Sequence, residues 1–146
     1  MIVDTTEIAR PPEQVFAYID QWERHVEWQE KLDSVKPETE GPLRAGARVV
    51  QTRRVPGGPR EFTIEVTEHD PPRKISWRGV DGPVRPDGTV TVEASDDGSR
   101  SRLTLQLDLR SHGLLGKLVG PLARRDAAKQ VPKDQARLKE RLESGA

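Results

Sequence analysis

A chain of 146 residues suits one domain, 1–146, and folding at this length buries roughly two-thirds of the unfolded surface. Hydrophobic and charged residues each make up 33%, the 24 acids balance the 24 bases, and the lack of cysteine excludes disulfides, thiolate nucleophiles and cysteine-based metal sites. No apolar run reaches membrane-spanning length and no basic start precedes an apolar block, so no integral membrane segment and a cytoplasmic location are expected.

The apolar positions recur in order, which marks a globular chain and not a disordered one. Residues 2–8, rich in β-branched side chains, predict a strand. Arg10-Pro11-Pro12-Glu13 ends it and opens a helix, because proline is tolerated in a first helical turn. Val15, Phe16 and Ile19 give that helix a buried face, and a second short helix is expected through Trp22, Val26 and Trp28. An extended stretch over residues 32–39 ends at Gly41-Pro42.

Three turns then set the register of a meander. Segments 48–54 and 60–69 flank Val55-Pro56-Gly57-Gly58-Pro59; centring the hairpin on the two glycines pairs Arg53 with Phe62, Gln51 with Ile64, Val49 with Val66 and Arg54 with Glu61. The Asp70-Pro71-Pro72-Arg73 turn sets Val66 opposite Trp77 and Glu65 opposite Arg78. Asp97-Gly98 sets Val92 opposite Leu103, Val90 opposite Leu105 and Glu93 opposite Arg102. Each count puts apolar residues on one side, and a one-residue slip would put charges there. The last strand, 102–110, points Leu103, Leu105, Leu107 and Leu109 inward. After it, with Ser111 as a candidate cap, a long helix runs over 114–142 with Leu115, Leu118, Val119, Leu122, Val131, Leu138 and Leu142 along one stripe. Pro121 and Pro132 predict a kink or break in it.

Charge is unevenly spread: ten acids face four bases up to Gly41, whereas residues 114–143 hold eight bases and four acids. Two neighbouring segments that attract each other explain this; a nucleic-acid face is not expected, since no aromatic residue interleaves with those bases.

The order is strand, two short helices, six antiparallel strands and a long terminal helix, an α+β chain whose one-sided sheet must bury its face against that helix. Over its whole length it resembles the START-like or SRPBCC superfamily with its helix-grip (Bet v 1-like) fold, in the polyketide cyclase/dehydrase and lipid-transport branch. The resemblance is carried by Ile8-Ala9-Arg10-Pro11-Pro12-Glu13-Gln14-Val15-Phe16-Ala17-Tyr18-Ile19 leading to Trp28, by Asp70-Pro71-Pro72-Arg73 before Ile75-Ser76-Trp77, and by Leu138-Lys139-Glu140-Arg141-Leu142-Glu143. It implies a curved sheet around the helix and a hydrophobic small molecule held between them. Some members cyclise or dehydrate polyketides, many bind or carry, and some serve as partners of other proteins.

The counted register says what would line such a cavity: Gln51, Arg53, Phe62, Ile64, Val66, Trp77, Leu105 and Leu107 from the sheet, Leu118 and Leu122 from the helix, and Trp28 as a closing side. The polar residues forced inward are Gln51, Arg53 and Glu68. Arg53, near the mouth, either holds a carboxylate or enolate-like oxygen or snorkels to water; Gln51 is the better buried hydrogen-bond candidate. Catalytic motifs are absent. The candidates are Arg53 and His112, the latter as a general acid or base at the mouth or as a plain loop histidine; His69 is expected to face outward, and Tyr18 either donates to a ligand or keeps its hydroxyl in water. Glycines 57, 58, 88 and 98 are assigned to hairpin turns, and 4% aromatic content argues against a wall built to stack fused rings. Three functions remain: a carrier of a hydrophobic small molecule, a polyketide cyclase or dehydratase, and an interaction module whose helix fills the sheet. No cofactor or metal is implied, and both monomer and dimer are open.

Overall fold

Alternating apolar residues joined by tight turns build a seven-stranded antiparallel sheet, seen in a computed structural model that describes residues 1–145. The elements run β1 (Ile2–Ile8), α1 (Pro12–Ile19), a 3-10 turn (Trp22–Glu27), β2 (Leu32–Pro37), β3 (Arg48–Val55), β4 (Gly58–Asp70), β5 (Lys74–Gly79), β6 (Val84–Ser95), β7 (Arg100–Ser111) and α2 (Gly113–Glu143). The strand order β1-β7-β6-β5-β4-β3-β2 makes β2 to β7 a meander that β1 completes by pairing with β7. The curved sheet grips α2, as the α+β helix-grip expectation requires.

Two turns keep the counted register and one does not. Val66 lies opposite Trp77, Glu65 opposite Arg78, Val92 opposite Leu103, Val90 opposite Leu105 and Glu93 opposite Arg102. In the β3–β4 hairpin the corners are Pro56 and Gly57, with Val55 opposite Gly58, so Gln51 faces Phe62, Val49 faces Ile64 and Arg53 faces Arg60. Gly57, at φ 101°, takes the left-handed conformation that glycine adopts without steric cost. Moving the turn centre by one residue moves every partner by two, so the faces survive while the pairs change. The expected Arg54–Glu61 pair is therefore replaced: Glu61 faces Thr52, and Arg54 pairs with Asp33 at 3.1 Å.

A register shift between Val66 and Glu68 overturns two further expectations. The extra residue, Thr67, inverts the alternation beyond it, as a β-bulge does. Glu68 consequently faces out and pairs with Lys74 at 3.1 Å, while His69 turns inward, packs 6.0 Å from the Phe16 ring and meets the Asp20 carboxylate at 2.9 Å.

Gly88 is likewise no turn residue. It lies inside β6 opposite Trp77, and a Cβ there would sit 2.2 Å from the indole, so the missing side chain is the space the ring occupies.

The terminal helix runs unbroken through Pro121 and Pro132, so the expected break is not seen; its N-cap is His112 without a side-chain cap bond, and Ser111 still belongs to β7. Its far half is clamped. Val131, Leu138 and Leu142 are buried; the Glu143 carboxylate accepts from the Ala9 N–H at 2.8 Å, and Arg10 donates to the Glu143 carbonyl at 2.8 Å. Its near half is not: Leu114, Leu115 and Leu118 face outward and Leu122, half exposed, borders the space under the helix, which corrects the single buried stripe. The reason is the approach of the β5–β6 loop. His112 N–H donates to the Pro83 carbonyl at 2.8 Å, and a Cβ on Gly116 would stand 2.2 Å from that oxygen, so glycines and not leucines face the sheet here.

Candidate ligand-binding cavity

Because only the far half of α2 closes against the sheet, a cavity of about 280 Å³ remains between sheet and helix. The helix therefore does not fill the sheet. Trp77, Val90, Leu103, Leu105, Leu107 and Leu109 line it from the strands, and Val119, Leu122, Ala123, Ala127 and Val131 from α2. Its rim is built by the β3–β4 hairpin (Val55, Pro56, Arg60), the β5–β6 loop (Pro83) and the start of β6 (Val84, Pro86).

Aromatic rings form one wall in a row. Trp77 meets Trp22 edge to face at 5.6 Å, Trp22 lies 5.3 Å from His25, and His25 lies 5.0 Å from Trp28. All three tryptophans and Phe62 border the cavity, so an average of 4% aromatic content misdescribes a wall where the aromatics are concentrated. The indole N–H groups of Trp22 and Trp28 are buried without a partner among the described residues, an unusual cost for a folded chain. His25 Nε2 bonds the Ile19 carbonyl at 2.7 Å; burial drives its pKa down to about 4, with the nearby Arg53 charge acting the same way. The imidazole is therefore neutral at physiological pH, donating from Nε2.

Polar groups converge on the cavity from β3 and the segment before β2. Arg53 donates through Nε to Gln51 Oε1 at 3.1 Å and through Nη2 to Gln29 Oε1 at 2.6 Å. Since a guanidinium only donates, both glutamines must turn their oxygens towards it, leaving their amide N–H₂ groups as donors. Arg53 has no carboxylate within ion-pair distance among the described residues. Burial lowers its pKa to about 10, opposed by the more distant Asp134 charge, so it remains a cation at neutral pH. Asp134 is occupied by the Glu30 N–H and by Gln130 at 2.8 Å, and pairs with Arg137.

Of the sequence-predicted residues, Gln51, Arg53, Phe62, Trp77, Leu105, Leu107, Leu122 and Trp28 border this cavity. Ile64 and Val66 do not; they are packed in the core beside it. Leu118 points to solvent, 78% exposed, because α2 is rotated so that Val119 and Ala123 face in. His112 is exposed at the N-cap of α2 and does not border the cavity. Tyr18 is also elsewhere, donating to Glu27 at 2.8 Å under the Arg24 guanidinium. Residues missed include Trp22, His25 and Gln29, and also Gln135, buried on α2 at the cavity wall and making no side-chain hydrogen bond among the described residues. For Gln135 the spacing from Val131, Leu138 and Leu142, four, three and seven residues, was the available signal.

Known proteins share this architecture. A protein from Thermus thermophilus is 21% identical, with 99% of each chain covered and a TM-score of 0.74. The Zhui aromatase/cyclase from a Streptomyces species is 20% identical over 93% of this chain and 86% of its own, with a TM-score of 0.74. A START superfamily protein from Mycobacterium smegmatis is 14% identical over 92% of this chain and 97% of its own, with a TM-score of 0.65. No curated protein matches the chain. At these identities the likeness establishes the fold. The family model described as polyketide cyclase / dehydrase and lipid transport matches residues 2–143, and the chain belongs to that family.

Proposed function

We propose that the protein binds a hydrophobic small molecule whose apolar body lies among Trp77, Leu105 and Leu107 and whose oxygen-bearing end meets Arg53 and Gln51. The observation that carries this reading is the Arg53 guanidinium, a cation bordering an apolar-walled cavity without a carboxylate partner among the described residues and with donors unspent. Such a group favours an acceptor, a carboxylate or an enolate-type oxygen, because a charge held in a low-dielectric site gains more from an opposite charge than it would in water. The unspent amides of Gln51 and Gln29 also donate, and Gln135 offers a further polar contact from the opposite wall.

Fluorescence titration with anilinonaphthalene sulfonate and its uncharged relative N-phenylnaphthylamine tests this. Both are expected to bind, and Leu105→Trp, which fills the void, to abolish both. Arg53→Met is expected to weaken the sulfonate about ten-fold or more, the scale of a charge-assisted hydrogen bond, and to leave the uncharged probe alone. Undiminished binding of both probes by Leu105→Trp would remove the cavity as the site.

Cyclisation is the second reading, favoured by the likeness to the aromatase/cyclase and by the suitability of Arg53 for stabilising an enolate oxygen. Its difficulty is the proton acceptor: His25 keeps Nδ1 as an acceptor but burial, with a pKa lowered to about 4, makes it a weak base, while Asp126 and Asp134 are ion-paired to Lys31 and Arg137. Loss of turnover with retained binding in Gln51→Ala and Arg53→Ala would favour catalysis over carriage.

A further inference from the structure

The outer side of α2 is unlike the rest of the surface. Leu114, Leu118 and Leu122 repeat every four residues with Leu115 beside them, and all four are more than half exposed. At steps of three and four the same side continues into Arg125, Lys129 and Lys133, while Gly116, Gly120 and Val131 face the sheet. The far half of the helix spends its cations on acids, Arg137 near Glu30 and Arg141 on Glu27. In the near half Lys117, Arg125, Lys129 and Lys133 are exposed and form no ion pair among the described residues. The single acid among residues 113–133, Asp126, is held by Lys31 at 2.9 Å.

We propose that this face of α2 lies on an anionic lipid bilayer, with the leucines in the interface and the cations on the headgroups. A helix with an exposed apolar strip beside unpaired bases is the form that binds in the plane of such a surface. Among the described residues no helix is long and apolar enough to cross a membrane. The position is apt, since Leu122 both belongs to the exposed strip and borders the cavity, so docking brings the cavity rim to the lipid. A symmetric contact with a second copy is disfavoured, because it would bring the same unpaired cations together. The use of the surface, access of a hydrophobic ligand to the cavity, rests on the function proposed above; the docking itself does not.

Co-sedimentation with vesicles of phosphatidylcholine, or of phosphatidylcholine and phosphatidylserine at three to one, tests it without any ligand. The chain is expected to partition onto the anionic vesicles at least ten-fold better than onto the neutral ones, and less well as salt is raised. Leu114→Ser with Leu118→Ser, and separately Lys129→Glu with Lys133→Glu, are each expected to lower that partition by about ten-fold or more. These side chains are solvent-facing, so the fold is retained. Leu105→Trp is expected to bind vesicles like the wild type, which separates failure of docking from failure of the cavity reading. No retention on anionic vesicles, or retention unchanged by both pairs, overturns the proposal. So does a concentration-dependent dimer in sedimentation velocity that the leucine pair abolishes, which would assign the face to a second copy.

Discussion

His25 shows how much one buried side chain can decide. It is 7% exposed between two indoles, and its imidazole titrates near 4 in the fold against 6.5 for the ordinary group. Between those values the unfolded chain binds the extra proton, so stability rises with pH across the window and is lost as pH falls from 6.5 towards 4. Urea unfolding at pH 7 and pH 5 is expected to show a loss of about 2 kcal/mol from this group, absent in His25→Gln. Equal losses in both proteins would exonerate His25. Glu27 and Glu143, whose carboxyls are held low by Arg24 and by the Ala9 N–H, act in the same direction but only at lower pH, below the ordinary carboxylate range. At this scale Gln51 and Arg53 were legible, since their faces follow from turn counting. The neutrality of His25 was not, because it depends on Ile19, Trp22 and Trp28 closing over the ring.

Among the elements, α2 behaves as two helices end to end. The far half is anchored by Leu138 and Leu142, 1% and 0% exposed, and the near half rests on glycines against Pro83 and Ser111. Leu138→Ala should cost about 2–5 kcal/mol and Leu118→Ala no more than about 0.5 kcal/mol, both read from urea midpoints. Similar costs would mean that the two halves pack alike. Helical spacing suggested one stripe for all seven apolar residues, because periodicity reports which residues share a face and not which face meets the sheet. The strands show the converse. Parity survived a hairpin centred on Gly57-Gly58 instead of Pro56-Gly57, since the resulting shift of partners by two was even, and failed at Thr67, since a bulge adds one residue.

For the whole molecule, the decisive quantity is the 280 Å³ left unfilled between sheet and helix. A ligand that binds only the folded chain stabilises it by mass action. Anilinonaphthalene sulfonate at a hundred times its Kd is expected to raise Tm by roughly 5–10 °C, and Leu105→Trp to show no rise. A rise that persists in the filled variant would locate the probe outside the cavity.

The order of apolar and turn residues by itself determined the helix-grip architecture, the inward faces of most strands and the placement of Gln51 and Arg53 beside one cavity, because alternation and turn chemistry are local properties of the chain. Only the tertiary structure decided how α2 is rotated, that Gln135 faces the void, that His69 turns inward and that Leu114, Leu115 and Leu118 stay in solvent. Those outcomes depend on how closely a loop can approach a helix and on one inserted residue in a strand, distances that no spacing in the sequence encodes.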